Sequence, residues 1–407
     1  MNAKKRIVIL TADAGFGHRS AANAVAAALE ERYGDACEVL IENPLDDKRV
    51  PALLRESQSD YDKLVKTAPK LYNLGYELSD APVPAVVIDS ALTVMLFEAL
   101  RAVVKRTEPD AIVTTYPLYQ APLGTVSQLR RTHVPLIAAV TDLASVHSIW
   151  FHPAADRCLV PTPVVRDLAR KAGLPDDRIE IVGIPVHPRL LHAAERREAI
   201  RKELGLSDAA KTVLAVGSKR VGHLSDVLHL LNHSALPLEF ILVAGGDDDL
   251  YSHLQQTEWH VPARVSNFVD NLPELMHAAD LIICKAGGLI VSETLAAGRP
   301  LLLVDVLPGQ EVGNAEHVVN GGAGVHAQEP AMALEAVYHW LANDGAELAK
   351  RTAAAAALGR PRAAFDVADR AWQAAQRGPQ PTRHSSKDRT RLVTWLKSLN
   401  LRIEDTV

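Results

Sequence analysis

Residues 280–314, DLIICKAGGLIVSETLAAGRPLLLVDVLPGQEVGN, hold one complete unit in order. An apolar run leads into a Gly-Gly turn, a helical stretch, a glycine stop, a second apolar run and a polar loop. The runs DLIICK (280–285) and PLLLVDV (300–306) are continuous rather than alternating. A strand without polar alternation is buried on both faces, which is the condition of a parallel sheet covered by helices. Strand, turn, helix and strand then form one crossover unit of a doubly wound sheet.

The same pattern extends outward. TVLAVG (212–217) and FILVAGG (240–246) precede this unit. The first half of the chain carries RIVILT (6–11), CEVLIE (37–42), AIVTTY (111–116), PLIAAVT (135–141) and RCLVP (157–161). The spacing predicts an α/β protein of two doubly wound, Rossmann-like domains, and 407 residues exceed what one core usually holds. The boundary is expected in IVGIPVHPRL (181–190), where Gly183, Pro185 and Pro188 end a strand before a charged helix, AAERREAIRKELGL (193–206). The first domain is thus expected over 1–190 and the second over 191–345. C-terminal helices packing back on the first domain are expected over 346–375, within a helical stretch that begins near 333. Residues 376–407 read as a flexible linker and a short amphipathic helix. In that last piece Leu392, Trp395, Leu396 and Leu399 recur at helical spacing, for docking on the protein or for touching a membrane.

Bulk composition narrows the function. Hydrophobic residues make up 48% and charged residues 23%, as in ordinary globular chains. A net charge of -5 argues against a generally cationic nucleic-acid binder. The three cysteines, Cys37, Cys158 and Cys284, show neither metal spacing nor a disulfide framework, which fits a reducing cytoplasm. MNAKKRIVIL runs into TADAGFG without a small-residue cleavage site and reads as a first strand, not a leader. Residues 83–100 contain Asp89 and Glu98 and are too polar to span lipid, so any membrane contact is expected to be peripheral. Residues 61–78 mix Lys63, Lys66 and Lys70 with Leu64, Leu71, Tyr72, Leu74 and Tyr76. They read equally as an anionic-membrane surface or as an ordinary surface helix pair.

Chemistry concentrates where strands end. TADAGFGHRS (11–20) follows the first strand, and open α/β sheets bind ligands at such carboxyl ends. Gly15 and Gly17 permit a tight turn and close ligand approach. His18, at the start of the following helix, is either a base working near neutral pH or a residue that packs the loop. In the second half, Gly287 and Gly288 allow phosphate oxygens to approach a helix N-terminus. Glu293, one turn in, suits vicinal ribose hydroxyls, because an ionised carboxylate only accepts. Gln310, Glu311 and Asn314 cluster donors and acceptors as a sugar requires. Gly217, Ser218 and Lys219 offer either a diphosphate rest or a plain turn. GGDDDL (245–250) reads as a solvated turn in preference to a metal site.

Four segments together resemble the monogalactosyldiacylglycerol synthase and processive diacylglycerol glucosyltransferase family, and more distantly the bacterial glycosyltransferase that makes lipid II. They are TADAGFGHRSAANAV, VTDLASVHSIWFHPAADRCLVPTPVV (140–165), GIPVHPR (183–189) and KAGGLIVSETLAAGRPLLL with PGQEVGN. The likeness covers about residues 6–370 and departs from the family at Phe16, where a glycine is frequent, and at Ala286, where the family has proline. It implies a GT-B fold, two such domains facing each other across a cleft. It also implies an inverting transfer from UDP-glucose or UDP-galactose to diacylglycerol without an essential metal or other cofactor.

By the same resemblance His18 is the base and Glu293 holds the uridine ribose. The backbone around Phe268 and Val269 reads the uracil edge, and Gly287, Gly288 and Leu289 meet the diphosphate. Gln310, Glu311 and Asn314 meet the hexose, and Pro308 and Gly309 also belong to the donor site. Gly17, Tyr116, Pro117, Asp142, His147 and Trp150 form the acceptor side, although Trp150 could equally anchor its loop in the core. The cysteine usage, the absence of a spanning run and residues 61–78 lead to the expectation of a cytoplasmic protein, peripheral on the cytoplasmic face of an anionic membrane. A transferase with another lipid-linked or soluble acceptor, a hydrolase or epimerase-like enzyme on the same scaffold, and a UDP-sugar sensor remain the rival readings.

Overall fold

The structure is a computed structural model, and it describes residues 4–13, 16–52, 54–55, 85–219, 221–309 and 311–382. Gly15, Gln310, the 61–78 segment and the 391–403 piece lie outside the described residues. The chain divides into two compact units. One comprises the residues up to Asp142, Val146–His187 and the chain from Ala363 onward, and the other Leu143–Ser145 and Pro188–Arg362.

The first unit is a parallel sheet of β1 (Lys5–Leu10), β2 (Cys37–Glu42), β3 (Ala111–Thr114), β5 (Leu136–Ala139), β6 (Arg157–Val160) and β7 (Ile179–Ile181), in the order β2-β1-β3-β5-β6-β7. Ile7, Val8, Ile9 and Leu10 are all fully buried, as the uninterrupted apolar run demands. The order reverses between β1 and β3, which pair through Leu10↔Thr114. That switch point opens the crevice in which such sheets hold ligands. Helix Phe16–Tyr33 follows β1 and packs its small face, Ala21, Ala24 and Ala28, in the core. Helix Ala363–Arg377 lies against it with a similarly alanine-rich buried face. Small side chains let the two backbones approach, and Tyr33 stacks on Trp372 at 4.4 Å while its hydroxyl donates to Asp369 at 2.6 Å. Arg370 adds a two-pronged ion pair with Glu180 of β7, at 2.7 and 2.6 Å. A two-residue ribbon, β4 (Thr132–His133) with β14 (Gln380–Pro381), follows this helix in the same unit.

The second unit repeats the plan. Its strands are β8 (Lys211–Val216), β9 (Leu238–Val243), β10 (Ala263–Ser266), β11 (Leu281–Lys285), β12 (Leu301–Asp305) and β13 (Gly324–His326), in the order β10-β9-β8-β11-β12-β13. Here the reversal falls between β8 and β11, so the loops after Val216 and after Lys285 meet at this unit's switch point. Buried Glu239 does not break β9, because its carboxylate accepts from Ser207 N at 3.0 Å and Thr212 Oγ1 at 2.7 Å.

The structure corrects several expected elements. β7, β10 and β13 are short, and none carries the long apolar run of a central strand. The charged helix expected over 193–206 is broken into helices Pro188–Ala193 and Arg197–Glu203 around a 3-10 turn. The helix expected from 333 runs over Pro330–Leu358 but is interrupted at Ala342–Gly345. Asn343, Asp344 and Gly345 take positive φ there, a conformation these residue types tolerate best. Its whole length to Leu358 stays with the second unit, and only the next helix joins the first. Among the described residues no helix is long and apolar enough to cross a membrane.

Candidate active site

In the first unit, the switch point gathers His18, Thr115, Tyr116, Thr141 and Asp142. The strand ends explain why. Thr115 N continues the ladder by donating to Leu10 O at 2.9 Å, and its hydroxyl donates to His18 O at 3.0 Å. The start of the helix is thereby tied to the end of β3. The His18 ring places Nδ1 2.7 Å from Thr141 Oγ1 and meets Tyr116 edge-on at 5.1 Å.

Burial pulls the His18 pKa below its ordinary 6.5, and the Asp142 carboxylate and Thr115 carbonyl counter only part of that pull. His18 therefore carries a neutral imidazole at neutral pH. Burial pushes Asp142 up, opposed by His18, by the Trp150 N–H and by His147. Tyr116 is pushed up to about 12, by burial first and then by Asp142, and stays a phenol. Gly17 sits beside this group, and a Cβ there would meet nothing within 4 Å, so packing does not itself demand glycine.

The acceptor-side residues divide into two kinds. Pro117 opens a short 3-10 turn that buries Tyr119, whose hydroxyl donates to Thr11 O at 2.9 Å. His147 Nδ1 accepts from Ile149 N at 3.1 Å and caps another short turn. Of the two readings of Trp150, the structure shows the buried anchor. Its ring is fully buried, its indole N–H donates to Asp142 Oδ2 at 2.7 Å, and its carbonyl accepts from Gln120 at 3.0 Å. Trp150 orients Asp142 and presents no face of its own.

In the second unit, the turn after β11 makes Gly287 the N-cap of helix Gly288–Ala296, leaving the first-turn N–H groups of Gly288 and Leu289 without carbonyl partners inside the helix. A Cβ at Gly287 would press on Lys285 Nζ at 3.2 Å. Lys285 thus lies over the helix N-terminus, held by Glu311 Oε1 at 2.8 Å. The Glu293 carboxyl is pushed up to about 7 by burial, and no hydrogen bond to it is recorded among the described residues. Phe268, after β10, is 70% exposed, a position for a stacking surface and not for a core residue. Val269 beside it is half-buried. Pro308 and Gly309 form an exposed turn in which Gly309 takes φ +82.

Two expected sugar contacts are already engaged. Glu311 accepts from Lys285 and from Leu307 N, the latter at 3.1 Å. Asn314 accepts from Ala144 N at 3.1 Å and donates to Ala286 O at 2.9 Å. Both side chains are buried and shape the loops around the turn.

The loop after β8 also has a packing reason. A Cβ at Gly245 would collide with the Gly217 carbonyl, and one at Gly217 with Leu250, so the two glycines stand back to back. Ser218 and exposed Lys219 follow. Further on, Asp305 accepts from Gly222 N at 2.9 Å and His223 N at 3.2 Å and pins the loop to β12. In GGDDDL, Asp247 caps a helix by accepting from Leu250 N at 3.1 Å, and Asp248 accepts from Asn267 at 2.7 Å. These are turn roles, and among the described residues no three His, Cys, Asp or Glu side chains gather as a metal site.

Sequence reading passed over Thr115, Thr141, Lys285 and Asp305. Each closes a central strand or follows within two residues of its end, and that position was the available signal.

Comparison with known proteins adds a separate line. Residues 18–186 match the family model for monogalactosyldiacylglycerol (MGDG) synthase, and residues 213–366 match the glycosyltransferase family 28 C-terminal domain. A probable monogalactosyldiacylglycerol synthase 2, chloroplastic, from Oryza sativa subsp. indica is 30% identical over 375 residues, covering 90% of this chain and 80% of that protein. Among solved structures, MurG of Acinetobacter baumannii aligns with TM-score 0.57 at 15% identity, over 91% of this chain and 100% of the other. A UDP-GlcNAc 2-epimerase from Neisseria meningitidis aligns with TM-score 0.57 at 13% identity, again over 91% and 100%. The two structures align equally well, and they speak to the two-unit GT-B-type fold alone.

Proposed function

The chain belongs to the monogalactosyldiacylglycerol synthase family, and on that footing we propose that it transfers a hexose, galactose or glucose, from a UDP-sugar to the hydroxyl of diacylglycerol. The observation that carries this reading is a neutral His18 at the first unit's switch point, beside Thr141 and Asp142. A sensor has no use for a base there. An aliphatic hydroxyl is a poor nucleophile until its proton leaves.

In the proposed step the acceptor O–H bond breaks and its proton passes to His18. The oxygen pair forms a bond to the anomeric carbon from the face opposite the diphosphate. The bond from that carbon to the β-phosphate oxygen breaks, and its electron pair leaves on UDP. The configuration inverts. The N-terminus of helix Gly288–Ala296, with Lys285 over it, supports the reading by offering donors where the leaving charge develops. The Glu293 carboxyl, with no hydrogen bond recorded to it among the described residues, suits ribose hydroxyls. This assignment asks for no metal. Glu311 and Asn314 act by shaping the hexose loop, and the remaining hexose contacts fall to Pro308, Gly309 and Gln310. The enzyme would work as a peripheral protein at the cytoplasmic face of an anionic membrane, a reading that rests on the lysines and aromatics of 61–78 in the sequence.

The test is to incubate the pure protein with UDP-galactose, UDP-glucose or UDP-GlcNAc and with vesicles containing diacylglycerol. The product is then identified by mass and linkage. A monohexosyl diacylglycerol of inverted configuration is expected. Free hexose with UDP, or an epimerised UDP-sugar, in place of glycolipid would overturn the proposal.

A further inference from the structure

The hydrogen bonds around His18 bear on which of its two nitrogens is the base. A neutral imidazole has one N–H and one lone pair, and its neighbours decide which nitrogen holds which. Nδ1 faces Thr141 Oγ1 at 2.7 Å. Thr141 is 7% exposed, so its hydroxyl is not free to turn to bulk water. The same oxygen lies 3.5 Å from Thr115 O. The Thr141 hydroxyl donates its single proton to that carbonyl, which can only accept. The Thr141 oxygen is then left as an acceptor toward Nδ1. In the opposite tautomer the Thr141 proton would turn to a bare Nδ1, and the Thr115 carbonyl would lose it.

Resting on the reading of His18 as the base, we propose that Thr141 is a positioning residue: it holds His18 as the Nδ1–H tautomer and leaves Nε2 as the atom that takes the acceptor proton. Thr115 completes the device by binding His18 O at 3.0 Å, which fixes the backbone beneath the ring. Both threonines come from central strand ends, Thr115 directly after β3 and Thr141 two residues after β5. Once Nε2 is protonated, Nδ1–H keeps its bond to Thr141 and the Asp142 carboxylate stabilises the new positive charge. The geometry therefore need not change during the step.

The experiment compares wild-type chain with Thr141→Val and Thr141→Ser. The valine keeps the shape and removes the acceptor, and the serine restores it. Turnover and KM are measured for UDP-sugar and diacylglycerol, and the His18 tautomer is read from nitrogen-15 histidine shifts of the full chain. Wild type and the serine variant are expected to show Nδ1–H. The valine variant is expected to lose on the order of 100-fold in kcat, with KM for UDP-sugar within about twofold. Serine should recover most of that loss. A wild-type ring protonated at Nε2, or a valine variant with unaltered kcat, overturns the inference. If valine fails to fold, the wild-type tautomer decides alone. His18→Ala separates the two layers. A His18→Ala variant that turns over normally sinks the base reading itself, whereas an inactive one paired with an Nε2–H wild type sinks only the role of Thr141.

Discussion

Replacing Glu293 with glutamine should make the unliganded protein more stable at alkaline pH while weakening its hold on UDP. The carboxyl is pushed from its ordinary 4.5 to about 7 by burial alone. At about 1.4 kcal/mol per pKa step, holding it ionised costs the fold about 3 kcal/mol. The sign follows from proton uptake. Between 4.5 and about 7 the folded protein binds the proton and the unfolded chain has released it. Wild-type stability therefore falls as pH rises through that window, and the loss is complete above it. Glutamine matches the size and carries no charge, so the variant should equal wild type below the window and exceed it by up to about 3 kcal/mol at pH about 8. Other titrating groups are common to both chains and cancel in the difference. Urea unfolding at several pH values, following the transition that UDP shifts, measures it. UDP affinity should move the other way. Two ribose hydroxyls donating to a carboxylate prefer its ionised form, so wild-type affinity rises with pH toward 7 and the variant loses about 1.5–3 kcal/mol of binding. A stability difference that does not change with pH would refute the buried-carboxyl reasoning, and unchanged UDP affinity would refute the ribose assignment.

His18→Ala should cost about 10²–10⁴ in turnover, with UDP affinity preserved, as checked by single-turnover kinetics beside calorimetry. Because burial lowers the His18 pKa, kcat/KM should stay level through neutrality and fall only on the acid side of 6.5. A limb centred above that value would contradict the assignment. Gly245→Ala should destabilise the second unit by about 2–4 kcal/mol, because Gly245 holds φ +68 and its Cβ would land on the Gly217 carbonyl. Denaturant unfolding reads the change, and a loss below about 0.5 kcal/mol would show that the two turns can part.

Much of the architecture was legible because a central parallel strand leaves a strong local mark. RIVILT and DLIICK are short continuous apolar runs bounded by turn residues, and their length with those flanking turns marks them as buried strands. Peripheral strands leave less. Ala263–Ser266 pairs with one neighbour only and is half-exposed, so its pattern blends with a loop. The break at Ala342–Gly345 had a visible cue in Asn-Asp-Gly, outweighed by the alanine-rich composition around it.

The site divides the same way. Gly217 and Gly287 stand within two residues of strands that continuous apolar runs mark out, and His18 opens the helix after β1; a ligand-binding turn at the carboxyl end of such a strand is a property of the local chain. What each side chain does there depends on which distant strand arrives beside it. Trp150 is an anchor because Asp142 and Gln120 take its polar groups. Glu311 and Asn314 are engaged because Lys285 and Ala286 lie opposite them. Thr141 matters because strand order sets it next to His18, 123 positions away in sequence. Periodicity and turn chemistry are written residue by residue along the chain, whereas a hydrogen-bond partner, a desolvated carboxyl or a tautomer is a property of neighbours that only the folded sheet assembles.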